Sequence, residues 1–210
     1  MAATDSFVHL HLHTEYSLLD GAVKIKDLMK KVVKQKMPAV AMTDHGNMFG
    51  AIEFYQAAHA AGVKPIIGCE VYLQPPPEYD KKKVTKGKIS THLTLLCENN
   101  TGYANLMKLV TRGHLDGQYY GKPLVTKQDL ADCSEGLICL SGCISGEINL
   151  FLQNDQPDKA RESLKEFLEI YGREHFYLEI HDHGLEVQKK CRDGLLEFAV
   201  DEDLKVVAAN

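Results

Sequence analysis

The sequence has no apolar run near the roughly 20 residues that a membrane-spanning helix requires, which argues against a membrane protein. It also lacks a basic excess: 24 Lys and Arg stand against 29 Asp and Glu, a net charge of −5 with histidine neutral. A surface whose main task is neutralising nucleic-acid phosphates usually carries the opposite sign. Any DNA is therefore expected to be held mainly by other parts of a larger protein. The six cysteines (Cys69, Cys97, Cys133, Cys139, Cys143 and Cys191) form no Cys-x-x-Cys pair, and no charged, apolar, cleavable leader opens the chain. A reduced, cytoplasmic protein is the expectation. Also missing are a Gly-x-x-x-x-Gly-Lys-Ser/Thr loop, a Gly-x-Ser-x-Gly turn and a complete Gly-x-Gly-x-x-Gly after a strand. NTPase, serine hydrolase and dehydrogenase chemistry are left without support.

What is present is a chain of 210 residues, 44% hydrophobic, long enough for one core and read as a single domain over 1–210. Apolar, β-rich runs at 7–14, 39–43, 65–73, 92–97, 136–141, 176–180 and 204–209 alternate with amphipathic stretches. The spacing of Ile25, Leu28, Met29, Val32 and Val33 predicts a helix over 25–36 with lysines opposite. Further helices are expected over 48–61, 103–115, 158–171 and 185–200, the fourth of these five opened by Pro157 and followed by Gly172. The class is α/β: seven strands with helices between them suit a closed (β/α) barrel, and an open doubly wound sheet fits nearly as well. Residues 74–90, with three successive prolines and a lysine run, break the rhythm and read as a long exposed loop, a solvated charge run before a DNA contact. The chain stops at an apolar strand with no closing helix, and truncation of a longer barrel is the expectation.

Ten histidines are many for this length. A period of two along the first strand sends His9, His11 and His13 to one face. Three imidazoles buried together with no shared cation would each need separate hydrogen-bond partners, so the pattern points to metal. Asp20, in a turn before Gly21, is a candidate oxygen ligand, or a plain turn residue. His45 after Thr43-Asp44, Glu70 after Gly68-Cys69 and Cys143 after Ser141-Gly142 fall at the C-terminal ends of successive strands, where barrel active sites assemble. His92 is the exception, because it begins its strand. Singly, Glu70 could be a rim charge and Cys143 a small buried hydrophobe. Together, imidazole, carboxylate and thiolate suit zinc, manganese or iron, and a bridging carboxylate would set ions about 3.5–4 Å apart for phosphoester hydrolysis.

Leu10-His11-Leu12-His13-Thr14, Glu15 to Gly21, Thr43-Asp44-His45-Gly46 and Gly68-Cys69-Glu70-Val71-Tyr72 resemble the PHP (polymerase and histidinol phosphatase) family. The resemblance runs through essentially the whole chain. The longer stretches at 16–21, 64–68 and 136–143 are most similar to the member of that family joined to bacterial replicative DNA polymerases. The resemblance implies a distorted, seven-stranded, TIM-like (β/α) barrel ahead of a polymerase palm. Its pocket would hold two or three divalent ions (zinc, manganese or iron, with magnesium also admissible) and act as a 3'–5' exonuclease or other phosphoesterase. The family's ligand positions fall on His11, His13, Asp20, His45, Glu70, His92 and Cys143, and two further ligands from an Asp-x-His lie beyond Asn210. His9, Asp44, His181 and His183 are expected to support the ligands or bind substrate. DNA and other replicase subunits are the implied partners. Two other readings compete: a metal-stabilised structural module serving the polymerase, and a free-standing small-molecule phosphatase.

Overall fold

The computed structural model describes residues 7–76, 90–119 and 121–209. Its strands are β1 (Ala39–Met42), β2 (Lys64–Leu73), β3 (Thr91–Cys97), β4 (Gln118–Tyr119), β5 (Lys122–Val125), β6 (Leu137–Leu140), β7 (Phe176–His181) and β8 (Val206–Ala209). The helices are α1 (Ile25–Lys34), α2 (Ala51–Ala60), α3 (Asn100–Leu115), α4 (Lys127–Asp132), α5 (Glu147–Gln153), α6 (Pro157–Tyr171) and α7 (Glu186–Asp201). The strands form one sheet in the order β4-β5-β2-β3-β6-β7-β8, with β1 also paired to the first half of β2.

The sheet is curled. Leu10, Ile66, Ile138, Tyr177 and Val207 pack with Ala41, Leu96 and Leu140 in one interior plug. Contributions from the first segment and from the last strand meet there, which a flat open sheet would not allow. Among the described residues no backbone hydrogen bond ties β8 to residues 7–14, so the figure is a half-barrel. Alternation sends the other side chains outward: Cys69, Val71 and Leu73 of β2, Leu93 and Leu95 of β3, and Phe176 and Leu178 of β7 pack under helices α3 to α7. A second outer cluster joins Val40 and Met42 to Ile25, Leu28, Met29 and Val32 of α1, the face expected from sequence. Val33, counted with that face, is instead half exposed. As read, Pro157 opens α6 and Gly172, at φ 73°, ends it.

Three features depart from the sequence reading. Residues 7–14 form no regular strand and bend at Leu10 and His11. They hold to the β1 side through Ala41 N–H to His9 O and Thr43 N–H to Leu12 O, both 2.8 Å. Three residues on one side span two on the other, and this extra residue disrupts the ladder as a bulge does. Next, β3 runs antiparallel to both β2 and β6, so the βα rhythm is broken at its middle. Finally, the β4–β5 hairpin and the short helices α4 and α5 were not anticipated, being too short to show a period. Of the expected 74–90 loop, residues 77–89 lie outside the described residues.

Candidate metal centre

Above the apolar plug the inward-facing positions become polar. On β2 Glu70 follows Ile66 and Gly68; on β7 Glu179 and His181 follow Tyr177. The direction of β3 settles the position of His92. Antiparallel pairing sets it opposite Tyr72, so the start of β3 lies at the same rim as the end of β2. A parallel bridge between His45 and Glu70 extends the β1–β2 pairing and aims His45 inward. Cys143 arrives through a turn at Gly142 (φ 83°), where a Cβ would sit 2.7 Å from His92 O, so only glycine lets the chain pass so close.

Glu70, 1% exposed, is the hub. Its Oε2 lies 3.0 Å from His11 Nε2, 3.0 Å from His13 Nε2 and 3.2 Å from His45 Nδ1. Its Oε1 contacts His92 Nδ1 and stands 3.9 Å from Cys143 Sγ. The other nitrogen of His45 is 2.8 Å from Asp20 Oδ2. All seven residues expected as ligands therefore line one open cleft of about 600 Å³, together with His9, His181 and Ser145. Two sets of three converge on Glu70: His11, His13 and Glu70, and His45, Glu70 and His92.

Burial alone would raise the Glu70 carboxyl, but His11, His13 and His92 hold it well below the usual range. Burial would lower His92; Cys143 and Glu70 instead bring it up to about 9. His11 is likewise held up, against burial, by Glu179 and Glu70. His45 is lowered, by burial first and then by His13 and His92 in spite of Glu70, a shift that favours its neutral form. The His13 and His45 rings stack 4.0 Å apart; Nδ1 of His13 is buried without a hydrogen-bond partner, and Nδ1 of His45, though 3.2 Å from Glu70 Oε2, is not aligned for a hydrogen bond to it. Four imidazoles around one carboxylate cannot all be cationic without repelling one another, nor all neutral and fully hydrogen-bonded. A divalent cation removes both problems, and the mixed N, O and S donor set fits a transition metal.

Supporting residues divide cleanly. Asp44, fully buried, accepts from Thr14 N–H (2.6 Å), Thr14 Oγ1 (2.7 Å) and Ser17 Oγ (2.6 Å), which anchors the loop that carries Asp20. Gly21 closes this loop; a Cβ there would meet Thr14 O at 1.8 Å. His181 faces the cleft and lies 3.0 Å from Glu179 Oε1. His9 lines the cleft but belongs to neither trio. His183 is turned away, its Nδ1 held by Gln188 Nε2 at 2.8 Å, because the chain leaves the rim at Asp182 to enter α7. Sequence reasoning missed Glu179. It is fully buried and lies 2.6 Å from His11 Nδ1, where burial opposes but His11 and His181 hold its carboxyl down at about 2. The available signal was a glutamate in the middle of the apolar run Phe176-Tyr177-Leu178-Glu179-Ile180, two residues before a histidine.

A curled β/α sheet with a histidine and carboxylate cluster at one rim is the architecture of a barrel protein built around a metal site. The chain belongs to the PHP domain family, whose model matches residues 9–183. It is 47% identical over 214 residues to DNA polymerase III subunit alpha of Thermus aquaticus, matching 100% of this chain and 17% of that protein. It is 44% identical over 225 residues to the same subunit of Saccharopolyspora erythraea, matching 98% of this chain and 19% of that one. The chain thus spans less than a fifth of these relatives' length. Among solved structures, a candidate metal-dependent phosphoesterase from Bifidobacterium adolescentis superposes with a TM-score of 0.58 at 15% identity, over 98% of this chain and 87% of that one. An amidohydrolase from Chromobacterium violaceum superposes with a TM-score of 0.57 at 14% identity, over 97% and 86%. Both likenesses concern the fold.

Proposed function

We propose that residues 1–210 form the PHP domain at the N-terminal end of a bacterial DNA polymerase III alpha subunit, and that it hydrolyses phosphodiesters as a 3'–5' exonuclease. The observation that carries this reading is Glu70, buried to 1% exposure with four imidazoles on its two oxygens, yet at the floor of an open cleft. A structural site would more simply be closed. His11 and His13 with Glu70 would hold one divalent ion, and His45 and His92 with the same Glu70 a second, with Cys143 and Asp20 beside them. Bound ions of this kind would supply Lewis acidity toward a phosphoryl oxygen and lower the pKa of a water so that it can lose a proton and attack.

The chain's own residues set the geometry. Glu70 brings the two trios onto one carboxylate, and Asp44 fixes the loop that bears Asp20. Glu179 occupies His11 Nδ1, which leaves Nε2 as the ligand atom. No separate acid or base is required beyond these side chains. Zinc, manganese and iron suit the donors; the natural setting would be the bacterial cytoplasm, with DNA and other replicase subunits as partners. Among the described residues no helix is long and apolar enough to cross a membrane.

The test is elemental analysis of the purified chain and of a longer polypeptide with its natural continuation, alongside release of 3' nucleotides from single-stranded DNA with manganese or zinc. Chelator-sensitive release that His13→Ala abolishes while the fold persists is the expected result. Metal retained without turnover would replace this reading by a structural role, and absence of metal would overturn the ligand set.

A further inference from the structure

A second and much smaller cavity, of about 10 Å³, lies between α5, β7 and α7, and its wall includes Asn149, Glu179, Gln188, Cys191 and Arg192. Two of these residues bring a buried oxygen that has no hydrogen-bond partner: Glu179 Oε2, at zero exposure, and Asn149 Oδ1, at 3%. Leaving a buried acceptor unpaired is costly, and a charged one more so. Neither oxygen is satisfied by turning its side chain round. Asn149 Nδ2 donates to Cys143 O at 2.9 Å and stands 3.3 Å from Gly142 O, so a flipped amide would set its oxygen against two carbonyl oxygens. Glu179 Oε1 already faces both His11 Nδ1 (2.6 Å) and His181 Nε2 (3.0 Å), and rotating the carboxylate only exchanges which oxygen is left over. Other groups on the wall are committed: Gln188 to His183 N–H and Nδ1, both at 2.8 Å, the Cys191 thiol to Asn149 O at 3.6 Å, and Arg192 to Asp182 and Asp193.

We infer that this cavity holds a single structural water that donates one proton to Glu179 Oε2 and the other to Asn149 Oδ1, and that Asn149 is thereby a positioning residue for the metal centre. The volume is about that of one water-sized sphere, which excludes a larger ligand, and in so small a space one occupant comes within reach of both oxygens. Two acceptors that face no donor call for a molecule with two protons to give. The water then joins two parts of the centre that different segments supply. Glu179 occupies His11 Nδ1, while Asn149 grips the carbonyl of Cys143 in the turn that brings Cys143 Sγ to the cleft. Among the described residues no direct hydrogen bond links Glu179 to Asn149, so the water is what transmits the position of the Cys143 turn to His11. The water itself follows from the cavity and its two oxygens; its bearing on the centre rests on the ligand set proposed above.

The experiment begins with a crystal structure of the chelator-treated chain at a resolution that places waters. The expected result is one peak about 2.8 Å from both Glu179 Oε2 and Asn149 Oδ1. An empty cavity overturns the inference, and so does a peak at about 2.4 Å, the distance of a hard cation such as calcium. Asn149→Ala is then compared with Gln153→Ala, which removes another side-chain bond to the same turn, at Ile144 O, from a residue that does not line the cavity. Zinc affinity, by chelator competition, should fall about tenfold or more in Asn149→Ala and stay within about twofold of the parent in Gln153→Ala. Thermal unfolding is recorded for both. Lost thermal stability with unchanged affinity in Asn149→Ala would leave the residue a purely structural one, and equal losses of affinity in the two variants would assign the effect to the turn rather than to the water; either result overturns the positioning role. Zinc that fails to bind even the unaltered chain would discard the ligand set instead, while the crystallographic peak still decides the water.

Discussion

Asp44 offers the sharpest test of how the site is held, because it touches none of the cleft's contents. Its carboxylate accepts three hydrogen bonds, from Thr14 N–H, Thr14 Oγ1 and Ser17 Oγ, at zero exposure. In Asp44→Ala both hydroxyls keep the bonds they accept from Tyr16 N–H and His45 N–H, both at 3.2 Å, but lose the acceptor for their own protons, which can at least rotate. The Thr14 amide cannot turn. An unpaired buried amide costs about 1–3 kcal/mol, and each lost bond to a charged acceptor about 1.5–3 kcal/mol. Relief from burying the charge offsets part of this, leaving a net loss of about 2–4 kcal/mol. Asp44→Asn keeps an oxygen for Thr14 N–H and Ser17 Oγ and should lose only about 1 kcal/mol. Urea unfolding of the chelated protein would show the ladder: at a slope of about 1–3 kcal/mol per molar, the alanine midpoint falls by about 1–2 M and the asparagine midpoint by much less. Metal affinity should fall in the same order, because the anchored loop carries Asp20 and His45 follows Asp44 directly. An alanine variant within about 0.5 kcal/mol of the parent, or equal losses for both variants, would refute the reasoning.

Two further outcomes follow from the charges around Glu70. Chelated protein should lose stability from near neutrality upward: the folded pKa of His92, about 9, lies above its ordinary 6.5, so its contribution is complete below about 6.5 and gone above about 9. Glu70 and Glu179 are depressed, so theirs is complete above about 4.5 and fades only as pH falls toward their folded values, about 2 for Glu179. Because metal binds deprotonated imidazole, the gap in Tm between loaded and chelated protein should widen from about pH 6 to about pH 9; a constant gap would contradict the cluster's ionisation. Glu179→Gln should reduce metal affinity about 10–100-fold by loosening His11, measured by chelator competition, with thermal unfolding checked in parallel. Unchanged affinity would mean that the charge of Glu179 does not matter to His11, since glutamine keeps an acceptor oxygen for Nδ1.

Much was set by the sequence alone. Period-two runs and 3.6-period helices specify an α/β chain, because each pattern buries an apolar face only in its own geometry. The residues around Glu70 were also visible singly, as metal-capable side chains recurring at strand ends. Tertiary structure decided what local pattern does not encode. Strand direction depends on partners far away in the chain, so only the antiparallel docking of β3 explains how His92, at the start of its strand, joins groups at the ends of others. The curl of the sheet depends on Leu10 and Val207, nearly 200 residues apart in sequence, sharing one plug. Glu179 is a single polar letter in an apolar strand until the barrel interior brings it against His11.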